Sequence, residues 1–209
     1  MKQSTILVSL AFFMGFLGNV AAQDMAYATN LMPNEAIMGV SAHDYTESNL
    51  SNTDTIPDFE STQNKIKLTG IIYNQDGKTP AKDVVLALYQ KNEDGSFELL
   101  KHEDKSRSVR HSGAIKTDAD GRYTFYTFIP GKALRSHDLQ EIHLVLKEPN
   151  KEEAGLYPIV FDNDPLLSKS CRKKLARRGI NNIVALQTEQ GLQVGSKDII
   201  LIQDSADYK

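Results

Sequence analysis

Thr117-Asp118-Ala119-Asp120-Gly121-Arg122-Tyr123-Thr124-Phe125-Tyr126-Thr127-Phe128-Ile129-Pro130-Gly131 is the stretch on which the reading of this chain turns. Asp120-Gly121 supplies a tight reversal, because glycine enters the left-handed conformations of such turns at no steric cost. From Arg122 to Ile129 the residues alternate in the manner of a half-buried strand. A loop further on, Glu141-Ile142-His143-Leu144-Val145-Leu146-Lys147 reads as a second strand. Its period of two puts Glu141 and His143 on one face. Phe125, Phe128, Ile142, Leu144 and Val145 are the candidate core residues, although only one face of each strand can point into a single core.

Further strands extend outward from this pair. Lys65 to Tyr73 alternates, Asn74-Gln75-Asp76-Gly77 is a turn, and Val84 to Gln90 is an apolar run. Asn92-Glu93-Asp94-Gly95 is the next turn. Ser108 to Lys116, Tyr157 to Phe161, Asn182 to Gln187 and Asp198 to Gln203 are further strand candidates. Short strands separated by Asp-Gly turns point to a mainly β, antiparallel sandwich. One short helix is expected in the C-terminal half, with Ser168 as its cap, Lys169 to Arg178 as its body and Gly179 as its stop. Its basic residues Arg172, Lys173, Lys174, Arg177 and Arg178 read as a solvated face.

The chain begins differently. Lys2, an apolar run from Ile6 to Leu17 and the small residues Val20-Ala21-Ala22 form a secretory signal peptide over residues 1–22. The apolar run is shorter than a membrane span, so no span is expected once the leader is removed. Residues 23–54 are polar and aperiodic and read as a flexible arm. The folded domain is expected over 55–203, with a tail at 204–209. These features imply an exported protein, periplasmic or secreted. The net charge of −3 over 209 residues, one unit more acidic without Lys2, argues against a nucleic-acid binder. Cys171 is the only cysteine, so no intramolecular disulfide can form and the core must stabilise the fold alone. It reads as a partly buried helical residue.

The turn-and-strand stretch resembles the heart of the intradiol ring-cleavage dioxygenases, the catechol and protocatechuate dioxygenase superfamily. There the pattern T-D-x-x-G-x-Y-x-F-x-T-x-x-P is followed by a proline–tyrosine turn and then H-I-H. Pro57-Asp58-Phe59, Asp76-Gly77-Lys78-Thr79-Pro80-Ala81, Lys147-Glu148-Pro149 and Phe161-Asp162-Asn163-Asp164-Pro165 follow in the order seen in small exported members. The resemblance covers Ile56 to Ile202 and implies a β-sandwich of the intradiol dioxygenase type.

It also implies a chemistry that these residues do not supply. In the family a ferric ion is held by two tyrosinates and two histidines, and it activates a chelated aromatic diol toward dioxygen. The first tyrosine position falls at Phe97, the second near Ala133, and the first histidine of H-I-H is Glu141. Only the second histidine, His143, remains. Ferric iron is therefore expected to be lost, with no catalytic residue assigned, and the chain reads as a pseudoenzyme. Two other readings stay open. One is a rebuilt metal site of His143, Glu141 and His137, with His102 or His111 as further donors, since two histidines and a carboxylate suit non-haem ferrous iron. In that reading an aromatic diol remains the substrate. The other is a non-enzymatic binding module like the carboxypeptidase-regulatory sandwiches. Tyr123, Tyr126 and Tyr157 are the tyrosines available as substitute ligands.

Overall fold

The computed structural model describes Tyr45, residues 50–103 and residues 107–202, all within one unit spanning 33–209. The signal peptide, most of the arm and the tail lie outside the described residues.

Two sheets face each other. The first is built on the antiparallel pair β2 (Lys65–Tyr73) and β7 (Arg122–Phe128), with Leu68 opposite Phe125. Its strand order is β1 (Thr53–Thr55), β7, β2, β13 (Leu192–Ser196) and β12 (Gln187–Glu189), and β14 (Ile199–Ile200) pairs with the far end of β2. The second sheet runs β11 (Ile183–Val184), β10 (Ile159–Phe161), β8 (Glu141–Lys147), β3 (Val85–Gln90) and β6 (Ser112–Lys116), with β9 (Glu153–Gly155) beside β8. A separate hairpin joins β4 (Leu99–Lys101) to β5 (Arg107–Val109). Both strands from which the sequence reading started, β7 and β8, lie inside their sheets.

The pairings at the heart of both sheets are antiparallel, as expected. Parallel pairs appear where the chain returns from a distance: β1 with β7, β13 and β14 with β2, and β10 with β11. The core between the sheets holds Ile66, Leu68 and Phe125 from one side and Leu86, Leu88, Ile142, Leu144 and Leu146 from the other.

β3 and β8 are buried on both faces, which is why β3 shows no alternation in the sequence. Val85, Ala87, Tyr89 and Val145 form a second apolar cluster on the outer face, covered by Tyr45, Leu50 and Phe97. Val145 therefore belongs to this outer layer, while Phe125, Ile142 and Leu144 share the inner one. Phe128 is buried edge-on against His111.

Several boundaries differ from the sequence reading for identifiable reasons. Residues 50–54, assigned to the arm on composition, are part of the body. Backbone bonds from Lys116 N to Ser51 O and from Thr124 N to Asn52 O clip this segment across the two sheets, and Asp54 accepts from Ala114 N. The single strand expected over Ser108–Lys116 is interrupted because Arg110 and His111 turn to Asp58. Arg110 Nε and Nη2 donate to its carboxylate at 2.9 and 3.1 Å, and His111 Nε2 lies 3.1 Å away. These two partners hold the Asp58 carboxyl down at about 2. The strand expected over Asn182–Gln187 divides into β11 and β12, because the chain crosses there from one sheet to the other.

The expected helix is present as α1 (Lys169–Arg177). Ser168 Oγ accepts from Cys171 N at 3.1 Å, and the Gly179 N–H closes on the Ala176 carbonyl. Half-buried Cys171 and Leu175 pack on Leu139, Val160 and Leu167. Of the basic residues expected on a solvated face, Arg172 instead pairs with Asp162 and donates to the Leu167 carbonyl. Removing the capping oxygen exposes an unsatisfied helix N–H, so Ser168→Ala is expected to cost about 1 kcal/mol. In thermal unfolding that is a fall of roughly 2–4 °C. An unchanged midpoint would mean that α1 contributes nothing to the cooperative fold. Among the described residues, no helix is long and apolar enough to cross a membrane.

Candidate functional site

The outer face of β3 and β8 carries the residues that the sequence singled out. Antiparallel register places Tyr89 directly opposite His143. With a period of two, Lys91 follows Tyr89, and Glu141 precedes His143, on that same face. The Tyr89 and His143 rings stack with centroids 4.8 Å apart and planes 13° apart. Phe97 closes the group, its ring 6.0 Å from that of His143 and 6.3 Å from that of Tyr89. Lys91 Nζ stands 5.9 Å from the Phe97 ring centre and 3.4 Å from Asp138 Oδ2.

The fourth position, Ala133, is brought alongside by two glycines. A Cβ on Gly95 would lie 2.1 Å from Ala133 N, and one on Gly131 would lie 1.9 Å from Glu93 O. Real Cβ atoms do not approach backbone so closely. Only glycine at both places lets the 92–97 turn seat against the 130–133 loop, which a bond from Gly131 N to Asn92 O then holds. The rest of that loop is anchored by buried Asp164, which accepts from Lys132 Nζ, Gln140 N and Leu166 N. Burial works to raise the Asp164 carboxyl, but these donors hold it below its ordinary range. Phe97, Glu141 and His143 thus lie at one end of the second sheet, and the Ala133 backbone lies against the 92–97 turn that leads to Phe97.

Electrostatics there are dominated by desolvation. Burial lowers the His143 imidazole to about 4, and neighbouring Lys91 adds to the effect. Burial pushes the Glu141 carboxyl up to about 7; Lys91 opposes the shift, while Asp138 and Asp164 reinforce it. At neutral pH His143 is uncharged and Glu141 is divided between its two forms.

Two of the other histidines are engaged elsewhere. His102 bonds to Ser108 Oγ at 2.7 Å, and His111 is buried against Asp58 and Phe128. His137 lies in the 130–140 loop near Asp138, whose carboxyl is lowered first by Ser136 and further by Lys91 and His137. Among the described residues, no three His, Cys, Asp or Glu side chains form a group able to hold a metal ion. Tyr123 is buried with its hydroxyl on the Lys197 carbonyl, and burial raises that phenol. Tyr126 packs edge-on against Phe59 in the other sheet, and Tyr157 lies beside Arg178. None of these three is stacked on or packed against His143.

Tyr89 and Lys91 are the site residues that sequence reasoning missed. Their shared parity in β3 was visible, but the register that sets Tyr89 on His143 is not written in either strand. Tyr89 does not restore the missing phenolate. Its ring is stacked flat on the His143 ring, so its position answers a ring–ring contact and not a second donor beside the imidazole nitrogens.

No protein-family model matches the sequence, and no curated protein is similar to it. Solved structures are. The dioxygenase domain of a dioxygenase–carbohydrate-binding protein fusion from Streptomyces sp. SirexAA-E is 17% identical, with a TM-score of 0.51 over 67% of this chain and 80% of that one. An intradiol ring-cleavage dioxygenase from Tetranychus urticae is 17% identical, with a TM-score of 0.50 over 66% and 81%. Catechol 1,2-dioxygenase from Pseudomonas arvilla C-1 is 17% identical, with a TM-score of 0.55 over 72% of this chain and 56% of that larger enzyme. At such identities the likeness is one of fold. The chain has the β-sandwich of the intradiol dioxygenases.

Proposed function

We propose that this is an exported intradiol-dioxygenase-like protein that has lost ferric ring cleavage and now uses the sandwich as a binding module. The observation that carries the reading is the packing of Phe97 against His143, with Glu141 two residues away on the same strand face. Three of the four positions that the resemblance assigns to iron ligands hold side chains of the wrong chemistry. Phenylalanine fills the ring volume without an oxygen, and alanine offers nothing. A carboxylate replaces one imidazole, and burial favours its protonated form, which is a poor ligand. Anionic phenolates are what favour the ferric state, so this donor set does not fit the family's metal. The leader at 1–22 supports export.

The purified mature protein is expected to be colourless, to carry no stoichiometric iron and to consume no oxygen with catechol or protocatechuate. A visible tyrosinate-to-iron band with one iron per chain would overturn the reading. Stoichiometric divalent metal that disappears in His143→Ala would also overturn it, in favour of a rebuilt site on His143, Glu141 and His137.

A further inference from the structure

Helix α1 concentrates positive charge in a chain that is acidic overall. Lys169, Arg172, Lys173, Lys174, Arg177 and Arg178 lie on it or at its C-cap, and it holds no acidic residue. Three of these cations form a row. Lys169, Lys173 and Arg177 recur every four residues, so they follow one side of the helix at steps of about 6 Å along its axis. Cys171 and Leu175 pack the opposite side onto the body. The row is exposed, and none of its members has an ion-pair partner among the described residues. Two neighbouring carboxylates are already spent, Asp162 on Arg172 and buried Asp164 on Lys132.

Helix stability does not ask for this arrangement. Like charges four residues apart repel each other. Lys169, at the first helical position, also stands at the positive end of the helix dipole, where an acid is favoured. An anionic partner from outside the chain would relieve both.

Exposed leucines meet the helix at its start. Leu166 precedes the Ser168 cap by two residues and is 37% exposed. Leu134 is 93% exposed, in a turn that Ser136 N closes on Ala133 O. The two loops are tied at one atom, Asp164 Oδ1, which accepts from both Lys132 Nζ and Leu166 N. Arg135, next to Leu134, is exposed with no ion-pair partner among the described residues.

We propose that this corner of the protein docks on the surface of an anionic lipid bilayer. The row on α1 meets the lipid headgroups, and Leu134 enters the boundary between headgroups and acyl chains. Charge complementarity selects an anionic partner. An exposed leucine between Lys132 and Arg135 selects a bilayer over a soluble polyanion, which has no apolar layer to receive it. The proposal gives the binding module a partner, and it rests on that reading only in that export decides which membrane is met. Vesicle binding is read without reference to iron, so its failure would leave the loss of ring cleavage untouched.

The test sediments the purified mature protein with vesicles of phosphatidylcholine, alone or mixed equally with phosphatidylglycerol. Each cation near an anionic surface is worth about a fivefold gain in partitioning, so the mixed vesicles are expected to bind about a hundredfold more tightly. The triple variant Lys169→Gln, Lys173→Gln, Arg177→Gln is expected to lose most of that gain. Its melting temperature should not change, because relief of two like-charge pairs offsets the loss of Arg177 from the last turn. Leu134→Ser is expected to weaken binding about fourfold, the worth of one buried CH₂. No partitioning, equal partitioning onto the two kinds of vesicle, or full binding by the triple variant would each overturn the proposal. Wild-type binding by Leu134→Ser, or capture of polyglutamate as tight as that of the mixed vesicles, would assign the row to a soluble polyanion and overturn it too.

Discussion

The triple variant Phe97→Tyr, Ala133→Tyr, Glu141→His is expected to turn a colourless protein into one that holds about one ferric ion per chain, with a visible tyrosinate-to-iron band. Phe97 already carries an aromatic ring within 6.0 Å of His143, so the first change adds one oxygen to a ring in place. Ala133 is exposed on a loop whose backbone is pinned by Gly95 and Gly131, so a larger side chain there does not clash with the core, and iron uptake requires it to turn from solvent toward His143. Glu141 shares a face with His143, and an imidazole at that position restores the neutral donor. Tyr89 is stacked on the flat face of His143 and so does not lie along the edge that carries its nitrogens. The band should vanish when His143→Ala is added to the triple variant. A folded triple variant that takes up no iron would mean that more than the donors has been lost, and that the scaffold itself no longer closes around a metal.

How much of this was legible in the sequence depends on where the information resides. Lys65–Tyr73 and Glu141–Lys147 were readable to the residue, because alternation and flanking turns are local properties of the chain. The cap at Ser168 and the stop at Gly179 were readable for the same reason. Thr53–Thr55 was hidden: a three-residue polar strand has no pattern of its own and exists because β7 offers it a partner. The break at Arg110 and His111 was hidden as well, since its cause is a carboxylate from Asp58, far back in the chain. In the candidate site, the parity of Glu141 and His143 was legible within one strand. The contact of Tyr89 with His143 depends on pairing between strands, and the docking of Ala133 depends on two glycines whose need to be glycine appears only when the loops meet.

Glu141→Gln is expected to stabilise the protein, and by an amount that grows with pH. Burial raises the Glu141 carboxyl from an ordinary 4.5 to about 7. The folded state therefore holds this proton more tightly than the unfolded one. Between pH 4.5 and 7 the native state loses stability as pH rises, and above 7 the whole penalty is present. Glutamine keeps the shape without the charge, so the gain should be on the order of 1–3 kcal/mol at pH 8 and should shrink to nothing near pH 4.5. The lower end of that range applies to the extent that the lost attraction of Lys91 offsets the relief. His143 works in the opposite sense. Its imidazole is lowered from 6.5 to about 4, so the unfolded state binds the extra proton, and stability falls as pH drops from 6.5 toward 4. In the wild type the two slopes oppose each other across their overlap. In Glu141→Gln the His143 slope remains alone, and urea midpoints should fall steadily from pH 6.5 to pH 4. A gain that is the same at pH 4.5 and pH 8 would show that Glu141 is not desolvated, and that the face it shares with His143 is open to water.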